Sequence, residues 1–331
     1  MKFQNILVTG GSGFIGSNFI NHLFQVNKSL KVVNIDNMSE GSSVLNTQEF
    51  EDNKNYIFIK EDINSCLIAE ILKENNIDCI VHFAAQSHVD RSIDNPGDFI
   101  KTNINGTYNL LEAVASLKSK GQNIHFHHVS TDEVFGDLDF EEPGFKESNS
   151  YKPSSPYSAS KAASDHLVRA WHKTFQIPVT ISNCSNNYGP RQDVEKLIPK
   201  TIDNCIRQIE IPIYGKGNNV RDWLFVEDHC RAIVSILSSG IVGESFNIGG
   251  GFEDTNINIV TKICDSIDKA LERRKGTSSG LIAYVEDRKG HDRRYSIDNS
   301  KIKDLLNWTP KYKFSDALEK TINWYLRNRL L

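Results

Sequence analysis

The sequence predicts an α/β fold, a doubly wound parallel sheet with a smaller C-terminal domain, and three features carry that expectation. An apolar run, Ile6-Leu7-Val8, enters a glycine-rich turn and then a helical pattern. Further apolar runs alternate with helical patterns as far as His125 to Val129, as strands joined by crossover helices do. From Asn186 onward that regularity is lost, and a second unit is expected to begin there.

The 331 residues, 39% of them hydrophobic and 24% charged, suffice for a large core, or for one large and one smaller domain. A formal net charge of −4 offers no basic field for nucleic acid, although a local cationic cluster could hold a small anion. The six cysteines stand singly, with no C-x-x-C spacing, which argues against a zinc site or a disulfide framework and for reduced, intracellular thiols. The first apolar run goes straight into the glycine turn, leaving no room for a signal peptide, and no apolar run approaches membrane-spanning length. A cytoplasmic protein without membrane contact is expected.

Thr9-Gly10-Gly11-Ser12-Gly13-Phe14-Ile15-Gly16 has the spacing of a dinucleotide-binding turn. Glycines there let the backbone approach a pyrophosphate and let helix pack on strand, while the helix N-terminus faces the negative charge. Both Gly10-x-x-Gly13-x-x-Gly16 and Gly11-x-Gly13-x-x-Gly16 fit, and a strand before with a helix after makes this a Rossmann-type start. The next run, Lys31 to Ile35, ends in Asp36, at the distance from the glycines where a carboxylate takes ribose hydroxyls. No Arg follows immediately, so NAD is expected rather than NADP.

Strands are then expected at Tyr56–Lys60, Cys79–Phe83 and His125–Val129, and helices at about Cys66–Asn75 and Asn103–Lys118. His125, His127 and His128 lack nearby carboxylate or cysteine partners in the sequence, so strand-face histidines are expected rather than a metal site. Asp62-Ile63 reads equally well as an adenine contact or as a plain loop acid. Thr131-Asp132-Glu133 follows the last of these strands. Alone, such a pair of acids most simply caps the next helix; near a cofactor it offers a hydroxyl and two carboxyls for chemistry. A polar loop leads to Tyr157 and Lys161, four residues apart at the start of a long helix towards Phe175, and therefore on one face. Without context that pair is a surface feature. Behind a dinucleotide fold it is a base, because the lysine cation and a positive nicotinamide ring would lower a phenol pKa that is ordinarily about 10.

Val179 to Ser182 reads as another strand. The division expected is residues 1–185 for NAD binding, with a returning segment around 224–240, and 186–331 for the second, substrate-binding domain. Tyr214-Gly215-Lys216-Gly217, Arg221-Asp222-Trp223 and Arg288 to Arg294 join turn glycines to cations and read as charged loops, most often solvated faces. Residues 273–280 look like a mobile linker, and a last helix at about Phe314–Arg327 looks like packing.

The glycine turn, the Tyr157/Lys161 pair and Thr131-Asp132-Glu133 together resemble the extended short-chain dehydrogenase/reductase family, in particular its nucleotide-sugar 4,6-dehydratases. The likeness runs through Ala84-Ala85-Gln86-Ser87-His88-Val89-Asp90-Arg91-Ser92, Ser185 to Pro190, Glu195 to Pro199, the Tyr214 and Arg221 segments and Gly290-His291-Asp292. It implies that Thr131, Asp132, Glu133, Tyr157 and Lys161 are catalytic. It implies NAD contacts from Gly10, Gly13, Phe14, Ile15, Gly16, Asp36, Asn37, Asp62, Ile63, Ala84, Ala85, Ser87, Thr102, Tyr157, Lys161 and Asn187. For substrate it implies His88, Thr131, Asn186, Lys196, Leu197, Pro212, Tyr214, Arg221, Asn256, Arg288 and His291. The chain departs from the family pattern at Phe135, usually Tyr, at Asp193-Val194, which interrupt a usual segment, and at Lys289, usually Pro.

The reaction so implied starts with oxidation of a nucleotide sugar, dTDP-glucose, at C4 by Tyr157 and NAD, which makes the C5 hydrogen acidic. Glu133 then removes that proton, protonated Asp132 donates to the departing C6 hydroxyl, and return of the hydride to C6 regenerates NAD. Adjacent carboxyls in a water-poor site push their pKa values apart, which supplies one acid and one base. A homodimer through the helices near 103–118 and 157–175 and a place in deoxysugar synthesis for a surface polysaccharide also follow from the resemblance. UDP-sugar dehydratases, epimerases or decarboxylases of the same fold, and a non-catalytic NAD-sensing protein, are the alternatives.

Overall fold

The computed structural model describes residues 2–329. The chain opens with β1 (Asn5–Thr9), α1 (Phe14–Val26), β2 (Lys31–Asp36), β3 (Tyr56–Lys60), α2 (Ile68–Glu74), β4 (Cys79–His82), α3 (Val89–Asp94), α4 (Pro96–Phe99) and α5 (Thr107–Lys118). Then come β5 (His125–Thr131), α6 (Pro156–Phe175), β6 (Val179–Cys184), β7 (Asn186–Tyr188), α7 (Leu197–Arg207), β8 (Ile211–Tyr214), β9 (Val220–Phe225), α8 (Val226–Ser239) and β10 (Glu244–Ile248). The chain closes with β11 (Glu253–Thr255), α9 (Asn256–Ala270), β12 (Ile282–Val285), β13 (Arg294–Tyr295), α10 (Ser300–Leu306) and α11 (Phe314–Arg329).

Seven strands form one sheet in the order β10-β6-β5-β4-β1-β2-β3, and every pairing is parallel. β5 lies near its middle, buried at all seven positions, as befits a parallel strand covered by helices on both faces. Phe126 and Val179 sit with Leu110, Leu111 and Val114 of α5 in one core layer. Val8 and Val32 sit with Phe19, Ile20 and Leu23 of α1 in another. His125 and His127 each meet the Thr180 hydroxyl of β6 at 2.9 Å, and burial holds both rings well below the ordinary histidine pKa.

Local sequence explains where the helices begin and end. α1 starts at Gly13, and Phe19, Ile20, Leu23 and Phe24 line its buried face at helical spacing. α6 starts from a capping box in which the Ser155 and Ser158 side chains satisfy each other's backbone N–H groups, with Pro156 in the first turn. It ends at Gln176 in the left-handed region.

Four features differ from the sequence reading. The helix expected from about Asn103 begins as a wider π-helical stretch, Ile100–Gly106, before α5; there Asn103 is buried and bridges the Gln86 backbone to the Ser160 hydroxyl. The return to the large sheet continues past residue 240, because β10 pairs with β6; Glu244-Ser245 at its start hid the strand. Arg221 and Asp222 are no solvated loop: they lie in β9, 6% and 2% exposed. Residues 273–280 are tied down, since Arg273 donates to the Cys205 and Ile206 carbonyls and the Asp268 carboxylate accepts from Ser278.

Beyond β6, β9 pairs with β7, β11 and β13 in a second small sheet, and β8 pairs with β12. A Cβ on Gly16 would lie 2.3 Å from the Gly10 carbonyl oxygen and 2.8 Å from the Gly11 Cα, so backbone would have to move. Gly16→Ala is expected to lose about 1–3 kcal/mol in urea denaturation. Gly280→Ala, whose Cβ would meet nothing within 4 Å, should stay within about 0.5 kcal/mol of the parent.

Candidate active site

Parallel strands end on the same side of the sheet, and one cleft runs along those ends past the glycine turn, Asp36, Ala84, Thr131 and Asn186. It lies where strand order reverses, between β1 and β4, the usual position of a ligand crevice in such sheets. Gly10 has φ +69, and a Cβ there would lie 2.8 Å from the Ala84 backbone; glycine brings the turn hard against the end of β4. Gly13 caps α1 without a side-chain hydrogen bond, which leaves the first amides of a helix open to the cleft. Such a cradle fits a dinucleotide pyrophosphate.

Of the residues expected at the cofactor, Gly10, Gly13, Phe14, Ile15, Gly16, Asp36, Asn37, Ile63, Ala84, Ala85, Ser87, Thr102, Tyr157, Lys161 and Asn187 line this cleft. Asp62 does not; its carboxylate accepts from the Asn64 N–H at 2.8 Å and from Asn37 at 3.1 Å, while its neighbour Glu61 lines the wall. Asp36 accepts the backbone N–H groups of Ser12 and Met38 at 3.0 and 2.9 Å, and burial raises its pKa. Sequence reasoning missed the loop Ser39-Glu40-Gly41-Ser42 and Gln86, Ser185, Gln192 and Asp193, which also line the cleft. A serine- and glycine-rich run after the β2 acid was the available signal for the loop.

At the end of β5 the chain turns through a short 3₁₀ segment, Asp132–Phe135, capped by Thr131, whose Oγ1 accepts from the Glu133 N–H at 3.3 Å. The same hydroxyl donates to Asp132 Oδ1 at 3.3 Å, while Asp132 Oδ2 is buried with no hydrogen-bond partner. Burial, then the Glu133 and Asp222 carboxylates, push Asp132 well above the usual carboxylate range. Glu133 is also raised by burial, but the Arg221, Lys196 and Arg288 cations oppose the shift. Burial raises both acids, but Asp132 also meets carboxylates while Glu133 lies under cationic influence. Phe135 packs against Phe145 and Tyr151 at 5.3 and 5.1 Å, an apolar setting for the family's usual tyrosine position.

Tyr157 and Lys161 project from the first turns of α6 into the same cleft. The expected lowering of the phenol pKa rests on a positive nicotinamide ring as well as on Lys161; the chain's own groups, taken together, act in the other direction. Burial and then the Glu133 carboxylate push Tyr157 well above its ordinary value. Burial lowers Lys161 to about 8, against the raising influence of Asp165. The Lys161 ammonium donates to the Val129 carbonyl at 2.9 Å, so its charge is anchored to the strand.

The expected substrate residues fall into two groups. Asn186 and Lys196 line the cleft with Thr131, and Lys196 donates to the Ser87 carbonyl at 2.9 Å; Leu197 follows as the first residue of α7. Beyond them Arg288 pairs with Asp90, Nη2 to Oδ2 at 3.0 Å, and lies over the Tyr214 ring at 5.2 Å. His291 packs edge-on to Tyr214 and meets Asp287 at 2.7 Å, and His88 Nε2 lies 3.4 Å from Glu195. Arg221 donates to the Val220, Asp292 and Arg293 carbonyls and stacks on Tyr295 at 4.3 Å. Pro212 stands in β8 and Asn256 opens α9, and neither lines the cleft. Lys289, the proline replacement, is exposed. Among the described residues no group of three or more His, Cys, Asp or Glu side chains could hold a metal ion.

The raised pKa of Asp132 has a measurable consequence. Unfolded, an aspartate ionises near pH 3.9, whereas in the fold Asp132 keeps its proton to a higher pH. Its stabilising contribution is therefore present below the unfolded value and lost as pH rises through the folded one. Asp132→Asn, which cannot ionise, should gain in urea midpoint over the parent as pH rises above about 4. A difference that does not change with pH would contradict the protonated assignment.

The chain is similar to known proteins over nearly its whole length. The family model for GDP-mannose 4,6 dehydratase matches residues 7–321. A dTDP-glucose 4,6-dehydratase of Neisseria gonorrhoeae is 47% identical over 337 residues, covering 98% of this chain and 96% of its own. A dTDP-glucose 4,6-dehydratase from Streptomyces venezuelae, solved with NAD bound, superposes with a TM-score of 0.91 at 40% identity, covering 98% of both chains. A UDP-glucuronic acid 4-epimerase of Bacillus cereus, also solved with NAD, shares the fold at 28% identity and TM-score 0.88, over 99% of this chain and 100% of its own. The chain therefore belongs to the sugar-nucleotide dehydratase family that the GDP-mannose 4,6 dehydratase model describes.

Proposed function

We propose that this chain is an NAD-dependent lyase that converts dTDP-glucose to dTDP-4-keto-6-deoxyglucose by loss of water. The observation that carries the reading is the pair of adjacent carboxyls at the end of β5, held in different electrostatic states beside Tyr157. Relatives at 47–49% identity carrying the dTDP-glucose 4,6-dehydratase name support the substrate. The glycine turn, Phe14, Ile15 and the carboxylate of Asp36 would hold the dinucleotide. When bound, NAD supplies a hydride acceptor for C4 and a donor for C6 within one turnover.

The chain's own groups do the proton work. The Thr131 hydroxyl holds the C4 oxygen, and Tyr157 accepts the C4 hydroxyl proton. Burial and the Glu133 charge oppose phenolate formation, so the base depends on positive charge beside it, to which Lys161 contributes. The C4 ketone acidifies the C5 hydrogen, and Glu133 takes that proton. Asp132, already protonated, gives its proton to the C6 hydroxyl, which leaves as water. Glu133 then returns a proton to C5. Arg221, Lys196, Arg288 and His291 supply donors for the diphosphate. Arg288 would exchange its Asp90 partner for phosphate oxygens, a charge-assisted pairing that suits a guanidinium.

In this reading residues 1–185, with the return through α8 and β10, hold the cofactor, and 186–331 hold the nucleotide sugar. The chain acts in the cytoplasm as a homodimer through α5 and α6, and its product feeds deoxysugar assembly. Surface aromatics on those helices support the pairing: exposed Tyr108 stands edge-on to half-buried Trp171 at 5.8 Å, and Trp171 packs on exposed Phe175 at 5.5 Å. No helix among the described residues is long and apolar enough to cross a membrane.

Glu133→Gln should lower turnover of dTDP-glucose by about 10²–10⁴-fold, read by mass spectrometry of the dehydrated product; turnover within about twofold of the parent would overturn the assignment of the base. With dTDP-glucose and UDP-glucose offered together at equal concentration, dehydrated dTDP sugar should dominate the product. Equal or greater UDP product would transfer the proposal to the UDP-sugar enzymes.

A further inference from the structure

Behind the cleft wall, one turn beyond Lys161 on the same face of α6, lies a carboxylate that the scheme above does not use. Asp165 is 0% exposed and is absent from the cleft lining. Its Oδ2 accepts from the Tyr151 hydroxyl at 2.7 Å and from the Asn183 amide at 3.2 Å. The same Asn183 nitrogen donates to the Thr131 carbonyl at 3.2 Å. Asp165 Oδ1 stands 3.3 Å from His128 Nε2 and has no hydrogen-bond partner. A buried anion is costly unless charge and donors compensate it; burial raises Asp165, but the nearby His128 ring first, then the Lys161 charge and the Tyr151 hydroxyl, keep it below the usual carboxylate range.

We infer that Asp165 is a positioning residue for the Tyr157/Lys161 base: its buried charge keeps Lys161 an ammonium, and its tie through Asn183 holds the end of β5. The inference rests on the reading of Tyr157 and Lys161 as the catalytic base pair. Helix geometry places Tyr157, Lys161 and Asp165 in one row, at positions i, i+4 and i+8. The groups that face this row are few. His82 on β4 and His128 on β5 are both held below the ordinary histidine value by burial, so neither supplies a competing cation at neutral pH. Cys184 on β6 is raised to about 12 and stays a thiol. Arg169, one turn further along α6, lies over the Tyr151 ring at 5.1 Å and donates to its hydroxyl at 2.9 Å. Glu133 and Asp132 act on Tyr157 from the cleft side. Asp165 is thus the acid that acts on Lys161 from within the fold, where burial alone would drive the proton off.

Replacing Asp165 with a neutral group removes an influence that raises the Lys161 pKa, so Lys161 should lose its proton at lower pH. For Asp165→Asn the alkaline limb of kcat/KM for dTDP-glucose is expected about one unit or more lower than in the parent. The kcat at neutral pH should fall about tenfold or more. KM should stay within about twofold, because Asp165 touches neither ligand. Asp165→Glu, which keeps the charge, should restore the limb towards its parental position. Asp165→Ser, with room for a water, is the second neutral variant should the amide not be accepted in the core. A purely structural role predicts lower thermal stability with an unmoved alkaline limb in either neutral variant, and that result would overturn the inference. If the parent turns over and Tyr157→Phe does not, while the neutral Asp165 variants keep the parental rate and limb, only the role of Asp165 fails. If the parent itself yields no dehydrated product, the proposed function fails first.

Discussion

Burial of ionisable groups at the end of β5 is the constraint on which the site depends. The middle of a parallel sheet is covered on both faces, so a strand that ends there delivers its last side chains into a region with little water. Asp132, Glu133, Tyr157 and Lys161 all meet at that edge, and for each of them burial is the largest influence. Desolvation favours the neutral form of every one. What distinguishes them is the local charge each meets: carboxylates beside Asp132, cations around Glu133, Asp165 behind Lys161. The separate roles proposed for them rest on those neighbours rather than on intrinsic acidity.

The price of that arrangement is stability. A buried acid with an unpartnered oxygen, as in Asp132, costs stability, and under the proposed mechanism that cost keeps a proton donor in place for the elimination. The rest of the fold is built to hold such groups still. Asn183 links Thr131 to Asp165, and Lys161 is anchored on the Val129 carbonyl. Asp222, pushed up to about 6 by burial, accepts the Gly250 and Phe252 N–H groups and so ties β9 to the chain that follows β10. The glycine turn contributes in a different way, by close approach: Gly10 and Gly16 admit backbone where any side chain would collide.

Much of this was legible in the sequence wherever one physical signal dominated. Ile6-Leu7-Val8 and His125 to Val129 read as strands because apolar residues and their flanking turns agree. The glycine spacing located the turn that lines the cleft, and Tyr157/Lys161 shared a face by helical geometry alone. Illegible features depended on long-range packing. Arg221 and Asp222 look solvated in sequence, and only the pairing of β9 with β7, β11 and β13 buries them. β10 begins with polar residues and is a strand because β6 offers an edge to it. Asp165 reads as an ordinary helix-surface acid until α6 is laid against β5 and β6, and the direction of the Tyr157 shift could not be read without knowing how deeply Glu133 lies beside it.

Turnover of dTDP-glucose in deuterium oxide, with the product examined by mass spectrometry and proton NMR, tests the central claim most directly. If Glu133 removes the C5 proton, exchanges it with solvent and returns a deuteron to C5 while Asp132 expels the C6 hydroxyl, the product will have lost one water and will carry solvent deuterium at C5. A sugar nucleotide that keeps its oxygen with C4 inverted, or one dehydrated without deuterium at C5, would contradict it.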